Sequence, residues 1–105
     1  MSDIVNTAKG LIGKLEGQYD CSDFTQYVYF LHGKVIPHNS GDQYSEGKKS
    51  FGNAGDIVCW QGHVGICDGA GNVIHSYTAS HKIRKDPISK VSQWDGRKVK
   101  GYVYF

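Results

Sequence analysis

Along the first third of the chain, apolar residues recur at helical spacing. Ile4, Val5, Ala8, Leu11, Ile12 and Leu15 fall at three- and four-residue intervals, the period of one helix face. With Ser2 as cap and Gly17 as stop, this predicts a first amphipathic helix over about residues 2–16. Phe24, Tyr27, Val28 and Leu31 form a second stripe at i, i+3, i+4 and i+7. They predict a helix that begins near Cys21 and ends at Gly33. Asp20 is placed to cap it. Asp23, three residues on, is placed to return a bond to the cap, although Glu or Gln is usual there.

The period then changes. Residues 37–55, PHNSGDQYSEGKKSFGNAG, are rich in turn formers, with one short helical turn expected around Asp42–Glu46. From Asp56 onward the pattern is that of strands. Ile57–Trp60 is one; His63–Cys67 and Val73–Tyr77 flank the turn DGAGN and read as a hairpin. His81–Lys85 is a further strand, and Val99–Phe105 alternates weakly and closes the sheet. Two helices followed by an antiparallel sheet define an α+β fold. With 105 residues and no repeat, linker or low-complexity segment, the expectation is one domain over residues 1–105.

Composition narrows the class. Fourteen glycines fit a turn-rich β-structure, and a net charge of +2 is too small to imply nucleic acid. No apolar stretch approaches the roughly 20 residues that span a bilayer. The start, MSDIVNTAKG, has neither the basic region nor the apolar run of a signal peptide. That leaves a cytoplasmic protein, export by another route, or an excised domain, so localisation stays open. Three cysteines, an odd number, do not make a complete disulfide framework. They fit a reducing compartment, or one thiol with a chemical task.

Cys21 opens its helix, where unpaired N–H groups and the macrodipole favour a thiolate and can hold an oxyanion. Asp23 opposes this, since a nearby carboxylate raises a thiol pKa. The alternative is a core cysteine on the Phe24/Val28 face. A thiol nucleophile needs a base, and the base needs an orienting group. Of five histidines, His32 and His38 are expected in solvent and His81 begins a charged surface strand. His63 opens the apolar strand HVGIC, and His75 ends the run NVIH on its neighbour. A three-residue loop, Gly69–Gly71, pairs Gly65 with His75. That puts His63 and His75 on one face as diagonal neighbours about 7 Å apart at Cα. A two-residue loop would put them on opposite faces.

These segments resemble the NlpC-type cell-wall peptidases, a papain-like cysteine peptidase family. The matching stretches are D-C-S at 20–22, I-P-H-N-S-G-D-Q at 36–43, A-G-D-I-V at 54–58 and H-V-G-I-C-D-G-A-G-N-V-I-H at 63–75. They stand in family order over roughly residues 2–80. The resemblance implies a papain-like fold of N-terminal helices packed on a C-terminal antiparallel sheet. It makes Cys21 the nucleophile, His63 the general base and His75 the orienting group. Asp20 and Ser22 become substrate-binding residues, Asp20 meeting the free amine of a stem peptide. The implied activity is hydrolysis of an amide in the peptidoglycan stem, commonly next to γ-linked D-glutamate, with neither cofactor nor metal. Two features depart from the family pattern: Asp23 stands where Gly is usual, and GKLEGQ replaces a Tyr-x-Trp-Gly-Gly loop before the cysteine.

Other readings compete. Cys59, His63, Cys67 and His75, spaced C-x3-H-x3-C-x7-H, carry zinc-binding side chains. However, residues 63 and 67 of one strand lie about 13 Å apart, too far for one tetrahedral ion. A non-catalytic wall-binding module, and an amidase or acyltransferase with the same Cys/His geometry, are the remaining alternatives. The partners this reading brings are a wall peptide, and an immunity protein or a larger phage or secretion assembly. Lysin, effector and autolysin fragment all fit.

Overall fold

A computed structural model describes residues 3–13, 19–77 and 82–105. Helix α1 spans Asp3–Gly10, α2 Cys21–Leu31 and α3 Ser40–Glu46. Strands β1 (Lys48–Ser50), β2 (Ile57–Trp60), β3 (His63–Cys67), β4 (Asn72–Tyr77) and β5 (Lys82–Pro87) follow. Helix α4 (Ile88–Asp95) then leads to β6 (Gly101–Tyr104). The six strands form one antiparallel sheet in the order β1-β6-β2-β3-β4-β5. The expected α+β architecture, helices packed on an antiparallel sheet, is what the chain adopts.

Alternation along β2, β3 and β4 sorts side chains onto two faces. Ile57, Cys59, Val64, Ile66 and Ile74 join Phe24, Val28 and Tyr29 of α2 and Val5 and Ala8 of α1 in the larger core. Val58, Trp60, Cys67 and Val73 face the other way, against Val91 and Ile88 of α4. Both faces of the central strands are therefore covered, and β2 and β3 are buried along their whole length.

The capping box at α2 is present. Asp20 Oδ1 accepts from Asp23 N at 2.8 Å, and Asp23 Oδ2 accepts from Asp20 N at 3.3 Å. At its other end Gly33 adopts φ +78°, and Lys34 N donates to Tyr29 O at 3.0 Å, closing a Schellman motif. The β3–β4 hairpin has the three-residue loop. Asp68 N donates to Asn72 O, Cys67 pairs with Val73, and Gly71 sits at φ +87°.

Four expectations need correction. The first helix ends at Gly10, well short of residue 16; Leu11 and Ile12 continue it only as a tightened turn, bonding to Ala8 O and Lys9 O. The proposed cap Ser2, stop Gly17 and Leu15 lie outside the described residues, as does His81. The buried face of α2 is Phe24, Thr25, Val28 and Tyr29, while Leu31 is 48% exposed. The buried strip is thus shifted from the expected stripe toward Tyr29, whose hydroxyl donates to the Gly55 carbonyl at 2.7 Å. Two elements were not foreseen. Strand β1, Lys-Lys-Ser, has no strand-like side chain and exists by pairing with β6. Helix α4 is a two-turn polar segment started by Pro87 and stopped by Gly96 in the left-handed region. The expected order of helices followed by sheet holds, with α4 inserted in the chain between β5 and β6.

Candidate active site

Cys21 is the first residue of α2, and the fold braces that helix start from several sides. Ser22 Oγ donates to Asp20 Oδ1 at 3.0 Å, stiffening the cap. Buried Gln43 donates to Ser22 O at 3.1 Å and accepts from Thr25 Oγ1 at 2.6 Å. This gives a physical role to the end of the segment I-P-H-N-S-G-D-Q. Ser76, the neighbour of His75 on β4, donates to Tyr19 O at 2.6 Å. One strand therefore holds both an imidazole and the approach to the cysteine.

The Cys21 thiol meets β3 on either side of His63. Its sulfur lies 3.9 Å from Gly62 O, and the Val64 N–H is directed at it. Burial pushes the thiol pKa up, and the Asp20 charge adds to this. The N–H groups of Val64, Ser22 and Cys21 pull in the other direction without prevailing. The expected benefit of the helix start is thus real but outweighed, and Cys21 rests as a neutral thiol. The carboxylate that acts on it is Asp20 rather than Asp23. Asp23 is occupied by its own cap and by His38, with which it is paired.

His63 and His75 share the face that meets α4, as the hairpin register requires. His63 Nε2 and His75 Nδ1 are 2.7 Å apart, the rings nearly perpendicular at 69°. The approach depends on Gly65, opposite His75: a Cβ there would lie 2.3 Å from Val73 Cγ2 and 2.8 Å from His75 Cβ. Trp60 and Tyr77 wall the pair, with ring centroids 5.5 and 6.0 Å from His63. Burial, with the neighbouring His75, lowers the His63 pKa to about 3, so its imidazole is neutral at physiological pH.

Beyond His75 the network continues to residues that the sequence did not single out. His75 Nε2 is 2.9 Å from Asp86 Oδ2. Arg84 grips the same carboxylate with two nitrogens, Nε to Oδ2 at 2.7 Å and NH2 to Oδ1 at 2.9 Å. Burial alone would raise the Asp86 pKa, but the bonds from Arg84 and His75 outweigh it and hold the carboxyl below its usual range. The available signal was the alternation in K-I-R-K-D, which puts Arg84 and Asp86 on one face. Assigning that face needed the pairing of His75 with Arg84 across β4–β5.

The remaining candidates separate cleanly. Asp20 is exposed beside the thiol, whereas Ser22 is buried beneath it and serves the cap. His32, expected in solvent, bonds Thr7 Oγ1 at 2.7 Å and ties α2 to α1. Cys59 and Cys67 lie on opposite faces of the sheet, in different cores, so with His63 and His75 they cannot surround one zinc ion. Burial pushes both thiols up to about 12. A groove of about 410 Å³ opens along the outer side of α2, lined by Tyr19, Asp23, Tyr27, Phe30, Val35 and His38.

A thiol at a helix start, lying against the backbone of the strand that carries the first of two hydrogen-bonded imidazoles, fits the papain-like cysteine hydrolases. Within that class the chain belongs to the NlpC/P60 family, whose sequence model matches residues 10–101. It is 33% identical to a γ-D-glutamyl-L-lysine dipeptidyl-peptidase of Bacillus cereus, over 83% of this chain and 32% of the relative. It spans less than half the length of the curated relatives it matches first, 32% and 43%. Among solved structures, the NlpC/p60 domain of the peptidoglycan hydrolase SagA superposes with a TM-score of 0.76 and 30% identity. That match covers 97% of this chain and 96% of the SagA chain. RipD of Mycobacterium tuberculosis, described as a non-catalytic NlpC/p60 domain adapted to peptidoglycan binding, shares the fold. Its TM-score is 0.70 at 17% identity, over 99% of this chain and 98% of that one.

Proposed function

We propose that this chain, acting as one domain over residues 1–105, is a peptidoglycan hydrolase. In this reading it is a cysteine endopeptidase that cuts an amide of the wall stem peptide next to γ-D-glutamate. The observation that carries the reading is the position of the one partly exposed cysteine among the described residues. Cys21 lies at a helix start, against the strand backbone on both sides of His63, whose other side is bonded to His75. The names of the Bacillus and SagA relatives support the substrate class.

The chemistry starts from two neutral groups, a thiol and an imidazole. His63 takes the thiol proton as Cys21 attacks the amide carbonyl, and His75 holds the ring in place. The Cys21 N–H, at the first turn of α2, is the donor for the oxyanion. His63 then returns the proton to the leaving amine, and water cleaves the thioester. Asp20, exposed at the rim, meets the ammonium end of the stem peptide, and Ser22 fixes the Asp20 carboxylate for that contact. No step calls on a metal or cofactor.

Mass spectrometry of defined muropeptides incubated with the protein tests this. Cleavage on the carboxyl side of γ-D-glutamate is expected, lost with Cys21→Ala. Tight binding of the same muropeptides with no cleavage by the wild-type chain would establish a wall-binding module instead.

A further inference from the structure

Four side chains on the α4 face of the sheet form an unbroken series, Arg84–Asp86–His75–His63, every contact between 2.7 and 2.9 Å. We infer that Asp86, gripped by Arg84, is a positioning residue that fixes which nitrogen of each histidine carries the proton. The inference rests on the proposed hydrolase reading for its consequence, but not for its geometry.

The direction of the series follows from what each group can do. Arg84 can only donate, and an ionised Asp86 can only accept. The nitrogen of His75 that faces Asp86, Nε2, must therefore be the protonated one. A neutral His75 then has only an acceptor at Nδ1, so His63 Nε2 must donate to it. That leaves Nδ1 as the unprotonated nitrogen of His63, the only one able to take a thiol proton. Each assignment forces the next.

Arg84 has a separate task within this device. A lone buried carboxylate beside His75 would draw a second proton onto that ring. His75 would then donate from Nδ1, His63 Nε2 would have to accept, and the proton of His63 would move to Nδ1. The base would be disabled. The two-point grip of Arg84 offsets the Asp86 charge and removes that pull. The guanidinium is itself held in place, its centre 5.8 Å from the Tyr77 ring centroid and 5.5 Å from that of Trp94. The aromatic cluster around the histidines thus orders the residue that keeps His75 neutral.

The test is the 15N spectrum of the imidazole rings in the full chain at neutral pH, which distinguishes the two neutral tautomers and the cation without substrate. In the wild type, His63 and His75 should both be neutral and protonated at Nε2. In Asp86→Ala, His75 should lose its single tautomer, and kcat on a cleaved muropeptide should fall at least about tenfold with KM little changed. Asp86→Glu should restore part of both. In Arg84→Gln, His75 should move toward the cation. A wild-type His63 protonated at Nδ1, or a folded Asp86→Ala protein with unaltered tautomers, overturns the inference. If Asp86→Ala does not fold, the wild-type and Arg84→Gln spectra decide it. A wild type that cuts no muropeptide yet shows the expected spectrum would remove the hydrolase reading and leave this one standing.

Discussion

The two faces of strands β3 and β4 differ in what they do, although the same backbone carries both. Toward α2 point Val64, Ile66 and Ile74, fully buried and aliphatic. Toward α4 point His63 and His75, joined by hydrogen bonds to Asp86 and, through it, Arg84 on the next strand, beside the buried Cys67 and Val73. The first face mainly supplies burial; the second adds to a smaller apolar cluster a set of polar groups held in fixed orientation, walled by Trp60 and Tyr77. Alternation with a period of two lets strands of five and six residues do both, and it makes the two contributions separable by mutation.

The sharpest separation comes from the thiol. Cys21→Ala should lower turnover by at least about a thousandfold, and His63→Ala by a similar factor. Cys21→Ala should move the melting temperature little, since Cys21 packs at the core's margin rather than inside it. Kinetics on a defined muropeptide, read beside thermal unfolding, check this. On the opposite face, Ile66→Ala should cost about 2–5 kcal/mol of stability by opening a cavity. Its folded fraction should keep the wild-type rate of Cys21 alkylation, measured below the denaturation midpoint. Gly65→Ala should blur the two faces. The new Cβ must push on Val73 and His75, costing about 1–3 kcal/mol and slowing turnover together.

Acid probes the polar face. His63 titrates near 6.5 when unfolded and at about 3 when folded. Between those values the unfolded chain holds a proton that the folded chain does not. Stability should therefore rise with pH across this window and fall as the solution is acidified below about 6.5, by at most about 1.4 kcal/mol per pH unit. Asp86, depressed in the folded state, adds a loss of the same sign at lower pH. Denaturant midpoints from pH 7 to 4 should show the slope, and His63→Gln should flatten its upper part.

Much of this was legible in the chain. The α2 start, its capping box, the β2–β3–β4 strands and the three-residue loop follow from local rules, because caps, alternation and turn glycines act over a few residues. The loop then fixed the relation of His63 to His75. What escaped depended on distant partners. Strand β1 needs β6, and α4 has too few apolar positions to show a stripe. The face of α2 that became buried includes Thr25 and Tyr29, whose partners Gln43 and Gly55 lie far along the chain. Asp86 and Arg84 were hidden because residues 78–81 between β4 and β5 left the register open. The thiol pKa was misjudged because a helix start acts locally, whereas burial against β3 depends on the whole fold.

The central claim is that a neutral Cys21 thiol becomes nucleophilic through His63. It is tested most directly by peptide-mapped acylation with a stem-peptide analogue bearing an electrophilic carbonyl at the γ-position of D-glutamate. A single adduct is expected on Cys21, none on Cys59 or Cys67, and formation at least about a hundredfold slower in His63→Ala. Equal acylation of Cys21 with and without His63, or no adduct on Cys21, would contradict the account.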